Sequence, residues 1–202
     1  MLKPIRLNRK LISVTKLSMH LLIFSWLIVV FYQGLNDQLG GDPVQALLDF
    51  TGIGALNLLM LSLLVSPLAM RFKFAQLIAF RRPIGLYSGL YAACHFMVFV
   101  AFELQFEMML IVSEIVERPY ITVGFVALLI LIVLSITSIT AIKKRMGSKW
   151  FTLHSLTYVA VILGGLHYLW LVKSAWYEPA IYLAVACILL YLRRDKIKKI
   201  FK

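Results

Sequence analysis

Hydrophobic residues gather into six runs along the chain, at about 17–35, 51–70, 84–102, 120–142, 150–172 and 176–192, separated by short polar stretches. Five of the runs approach the roughly 20 residues that a membrane-spanning helix needs, and the sixth, which opens with Glu178 and Pro179, is the shortest. The first run is too long for the apolar region of a signal peptide and carries no small-residue cleavage site, so it is read as a helix. The pattern predicts an all-α integral membrane protein, a six-transmembrane-helix bundle. No linker exceeds a short loop, so residues 1–202 are expected to form a single domain.

Composition sharpens this reading. Of 202 residues, 61% are hydrophobic and 15% charged, with mean hydropathy +0.88, values that no soluble globular domain requires. Charge then orients the bundle. With the two chain ends and the loops after the second and fourth runs on one side, that side holds every Lys and Arg except Arg118 and Lys173. Of the acidic residues it holds Asp195 alone. The positive-inside rule makes both termini cytoplasmic. The net charge of +12 is thus a topology signal, supplemented by attraction to anionic membrane lipid. Nucleic acid is not an expected partner, because the basic residues are dispersed among helix ends.

Candidate chemistry rests on four histidines. Phosphate-binding loops, nucleophile elbows, dinucleotide fingerprints and paired carboxylates at glycosidase-like spacing are absent, and Cys94 and Cys187 read as small core residues. His95 lies twelve residues past Pro83, about 18 Å into the membrane, where an ionisable side chain is costly and marks a functional site. In Ala-Ala-Cys-His-Phe-Met it has no local partner. His154 and His167 share one apolar run, thirteen residues and about 20 Å apart, so one imidazole sits near each end of the hydrocarbon. That spacing rotates them roughly 140° from each other, so they serve different sites unless Gly164-Gly165 distorts the helix. A b-type haem needs two axial histidines from facing helices at matched depth. Depth alone does not decide between His154 and His167 as the partner of His95; His95 with His167 is the favoured pair. His154, with His20 at a similar depth, then forms a second haem-associated or electron-entry site. Arg81 and Arg82, at a helix start before Pro83, and Lys149, after Lys143-Lys144-Arg145, are candidates to hold an anion such as a haem propionate or a flavin phosphate.

Gly85 and Gly89 fit a GxxxG packing motif, and Glu103, Glu107, Glu114 and Glu117 read as a solvated face. Ser135, Thr137, Ser138 and Thr140 are suited to interhelical hydrogen bonds, and Trp170, Trp176 and Tyr177 to an aromatic belt.

Taken in order, Gly41-Asp-Pro-Val44, Thr51-Gly52, Arg81-Arg82-Pro-Ile-Gly85 before His95, Glu117-Arg-Pro-Tyr-Ile-Thr-Val-Gly124, Trp150-Phe-Thr-Leu-His154 and Leu166-His-Tyr-Leu-Trp170 make a specific set covering almost the whole chain. The set resembles the ferric-reductase-like transmembrane family, and within it the haem-binding membrane subunits of bacterial periplasmic methionine sulfoxide reductase systems. The resemblance implies a six-helix inner-membrane protein with b haem and FMN. Its electrons would come from the quinol pool or a cytoplasmic flavin reductase and pass to a periplasmic molybdopterin subunit that repairs methionine sulfoxide. On this resemblance the chain is an electron-transfer subunit rather than the catalytic one. His95, His154 and His167 match the family's haem-associated histidines. Compared with two-haem relatives, the second histidine of the third helix is missing, and the matching region lies near Arg81 and Arg82; one b haem is expected, with a second left open. No soluble FAD or NADPH domain is read in the chain. A small proton-coupled transporter or a structural membrane subunit are the rival classes; against the first, the sequence presents no internal repeat, no mid-span Asp or Glu and no pair of broken helices.

Overall fold

A computed structural model describes residues 7–172, 174–194 and 197. Lys173, Asp195 and several of the terminal basic residues that orient the chain, among them Lys3, Arg6, Lys196 and Lys202, lie outside the described residues. All described elements are helical: α1 (Arg9–Leu35), α2 (Pro43–Arg71), a 3-10 turn (Ala75–Phe80), α3 (Arg81–Val98) with a π-helical continuation (Phe99–Glu103), α4 (Met108–Glu117), α5 (Pro119–Thr137), α6 (Thr140–Met146), α7 (Lys149–Leu153), a 3-10 turn (His154–Leu156), α8 (Thr157–Leu171) and α9 (Tyr177–Tyr191). Five continuous helical stretches are long and apolar enough to cross a membrane: α1, α2, Ala75–Glu103, α5 and Lys149–Leu171. α9 is apolar but shorter.

Local chemistry explains where element ends depart from the hydrophobic runs. α2 begins at Pro43, well before Thr51, because Asp42 caps it through the Gln45 N–H (2.9 Å) and proline suits the first helical position. Gln45 and Asp49 then bond across one turn (2.8 Å), so polar residues extend the helix beyond its hydrophobic part. α5 stops at Thr137 rather than 142, where the Thr137 and Ser138 hydroxyls bond back to Val133 and Leu134 carbonyls and compete with helical continuation. The Glu-bearing stretch after α3 contains an extra helix, α4, which exposes Met108, Met109, Val112 and Val116 alongside its glutamates.

α2 is the central helix, packed along α3 and also touching α1, α8 and α9. The main core joins Leu56, Leu59, Met60 and Leu63 of α2 to Leu131 of α5, Val161 of α8 and Leu189 of α9. In lipid, apolar burial supplies little drive for helix association, so close approach and interhelical hydrogen bonds matter more. Both are present. A Cβ on Gly54 would lie 2.7 Å from the Tyr91 ring, one on Gly89 2.5 Å from Ser135 Oγ, and one on Gly165 2.5 Å from Leu183. Gly85, the other half of the GxxxG motif, has room to spare. Ser88 donates to Ala55 O (2.8 Å) and Tyr91 to Ile23 O (3.0 Å), tying α3 to α2 and α1.

Candidate functional site

α2 and α3 build one half of the site. The His95 ring lies against Gly52, where a Cβ would come within 3.0 Å of its Nδ1 and Cε1. The missing side chain opens a path to the Leu48 carbonyl one turn earlier, to which His95 Nδ1–H donates at 3.0 Å. A carbonyl only accepts, so this bond fixes the proton on Nδ1 and leaves the Nε2 lone pair for a ligand. Thr51, fully buried beside it, is anchored to Leu47 O (2.6 Å).

α5 and α8 build the other half in the same way. His167 Nδ1–H donates to Tyr120 O at 2.7 Å, and a Cβ on Gly124 would lie 2.6 Å from that nitrogen. In each half the carbonyl precedes the glycine by one turn and the histidine follows the carbonyl by 47 residues. Hydropathy gives no hint of this repeated spacing. The helix carrying His154 and His167 is interrupted at the 3-10 turn His154–Leu156, not at Gly164-Gly165, and the two histidines belong to different places.

The two half-sites face each other. The His95 and His167 ring centroids are 6.1 Å apart with planes at 80°. At that separation one group held between the rings could be reached by both. Both rings line a cavity of about 350 Å³ that runs between α2, α3, α5 and α8, walled by Leu56, Phe96, Leu128 and Leu131. Gln45, Asp49, Glu103, Arg118 and Tyr120 form its polar mouth, where Arg118 also pairs with Glu114 at 2.8 Å. Among the described residues no group of three or more His, Cys, Asp or Glu could hold a bare metal ion. Two opposed imidazoles in a mostly apolar slot suit the iron of a flat macrocycle, which brings its own equatorial ligands.

The remaining candidates lie elsewhere. His154 Nε2 is 3.0 Å from the Thr137 hydroxyl, and its ring stacks on Trp150 (3.9 Å, 26°), over which Lys143 sits at 4.3 Å. The break after α5 leaves two carbonyls for this corner: Trp150 Nε1–H donates to Thr137 O (3.0 Å) and Arg82 to Ser138 O. His20 pairs with the Tyr87 hydroxyl (2.9 Å). Among the described contacts none joins His20 to His154. Arg81 lies within electrostatic reach of His154, and Lys149 edges a separate groove with Met146 and Thr152. Reasoning from sequence missed the Leu48 and Tyr120 carbonyls, the roles of Gly52 and Gly124, and Arg193, which is buried at the end of α9.

The ferric reductase like transmembrane component family matches residues 51–165, a segment that holds Gly52, His95, Gly124 and His154 but ends before His167. Protein-methionine-sulfoxide reductase heme-binding subunits MsrQ of Salmonella typhimurium (strain LT2), Salmonella heidelberg (strain SL476) and Salmonella agona (strain SL483) are each 38% identical to this chain. Each match spans 195 residues, 96% of this chain and 98% of the relative.

Proposed function

The chain belongs to the ferric reductase like transmembrane family and, within it, to the MsrQ heme-binding subunits, and from that premise we propose that it is a membrane electron conduit with b-type haem held between His95 and His167. Electrons enter from quinol or a cytoplasmic flavin reductase and leave to a periplasmic molybdopterin methionine sulfoxide reductase. The setting is the bacterial inner membrane, crossed six times with α9 as the last span and both termini cytoplasmic. The distribution of Lys and Arg supports this orientation, and the polar mouth around Arg118 and Glu103 then opens toward the periplasm.

Bound haem iron supplies one-electron chemistry, with a potential set by its axial ligands, hydrogen bonding and burial. The chain's own residues set those conditions. Leu48 O and Tyr120 O hold each imidazole in one tautomer and one orientation and make it a stronger base. Leu56, Phe96, Leu128 and Leu131 give the slot a mostly apolar lining, a low-dielectric setting for the group it would hold. At the basic end, His154, Trp150 and Thr137, with Arg81, Arg82 and Lys149 nearby, form the entry side, where a second haem or FMN would take its contacts.

The facing of His95 and His167, each secured through Nδ1 to a carbonyl, carries this reading. A reduced-minus-oxidised visible spectrum with haem quantified per chain tests it. His95→Ala and His167→Ala are expected to lose the b-type signal, and His154→Ala to keep most of it. Absence of haem from wild type after haem-supplemented expression would overturn the proposal.

A further inference from the structure

Arg193 is the one charged side chain among the described buried residues, only 4% exposed at the end of α9. Its Nη1 donates to the Tyr158 hydroxyl (3.4 Å), and its guanidinium carbon lies 6.0 Å from the centre of that ring. Its Nε and Nη2 are both buried and, among the described residues, have no hydrogen-bond partner. Among the described residues no carboxylate pairs with it; the ion pair there is Arg118 with Glu114, at the opposite end of the bundle.

The two orphaned nitrogens are not a random pair. Nε–H and Nη2–H form the side-on edge of a guanidinium, a planar two-pronged donor whose spacing matches two oxygens of one oxyanion. Tyr158 occupies the other end of the group and so points that edge. A buried charge without a partner is strongly destabilising, which makes a fixed, unpaired fork a place for a ligand. Arg81, at the start of α3, brings a second positive charge that acts on both Arg193 and Tyr158. A second guanidinium within electrostatic reach favours a phosphate, which carries up to about two negative charges, over a single carboxylate. Neither arginine lines the cavity between His95 and His167.

We propose that Arg193, oriented by Tyr158 and supported by Arg81, binds a phosphate group side-on through Nε and Nη2 at the basic end of the bundle. The phosphate belongs either to a membrane phospholipid or to a soluble phosphate monoester. The site is independent of the paired histidines.

Binding to the full chain in dodecyl maltoside tests this with two matched probe pairs. Fluorescence titration compares flavin mononucleotide with riboflavin, and native mass spectrometry compares phosphatidylglycerol with phosphate-free galactosyldiacylglycerol. Wild type is expected to prefer the phosphate-bearing member of at least one pair, and which pair identifies the source. R193Q is expected to weaken that binding about ten- to a hundredfold, as loss of a charge-assisted pair does. R193K, which keeps the charge but lacks the fork, should recover only part of it. Thermal unfolding of each variant verifies folding, and R193K serves if R193Q does not fold. Absence of any phosphate preference in wild type, or a preference unchanged in the variants, would overturn the inference. The flavin arm rests on the entry side proposed above, which shares Arg81; the haem spectrum is read separately, so loss of phosphate binding and loss of haem are distinguishable.

Discussion

An imidazole tied to a backbone carbonyl is held by the helix itself, and the geometry at Gly52 and Gly124 shows what that requires. The ring reaches the carbonyl only where the next turn carries no side chain. At Gly124 a methyl group would sit 2.6 Å from His167 Nδ1, closer than real contacts allow, whereas at Gly52 the distance to His95 is 3.0 Å. Gly124→Ala is therefore expected to weaken haem binding roughly tenfold or more, in the range found when hydrogen bonds behind a ligand are lost, and Gly52→Ala less. Haem titration of the two variants, followed in the Soret region, measures the difference; equal losses would contradict the geometry. The histidines were legible in the sequence because a polar ring in hydrocarbon needs a partner. The carbonyls were not, since every residue has one, and nothing in hydropathy sets Gly52 or Gly124 apart from other helical glycines. Arg193 looked like one of many charges that orient the chain, and only its burial singles it out.

At the scale of the element, six apolar runs were readable but not where helices begin, bend and end. Hydropathy cannot see the Asp42 cap that starts α2 early, nor the hydroxyls that stop α5 and free two carbonyls for Trp150 and Arg82. It also cannot say which half of a GxxxG motif makes the contact. Gly89 does, where α3 meets Ser135 of α5. Gly89→Ile is expected to wedge these helices apart at a cost of about 1–3 kcal/mol, while Gly85→Ile costs little. Thermal unfolding of the two variants in detergent compares them, and a lower midpoint for the Gly85 variant would refute the assignment.

At the scale of the molecule, orientation follows from charge rather than packing. In a chain with Cys94 and Cys187 replaced by alanine, a cysteine at Glu117 is expected to react with a membrane-impermeant maleimide in cells with a permeabilised outer membrane. A cysteine at Arg145 should react only after lysis. The reverse labelling would invert the bundle. The repeated carbonyl, glycine and histidine spacing has a further consequence, which concerns synthesis. Residues 48–95 and 120–167 do not overlap along the chain, so neither half-site is threaded through the other. As the protein leaves the ribosome, all the residues of the first half-site, His95 and the Leu48 carbonyl among them, are made before any residue of the second. The chain is therefore divisible: fragments 1–106 and 107–202, produced together, are expected to find each other in the bilayer and recover the Soret band, whereas a cut inside either half-site should not.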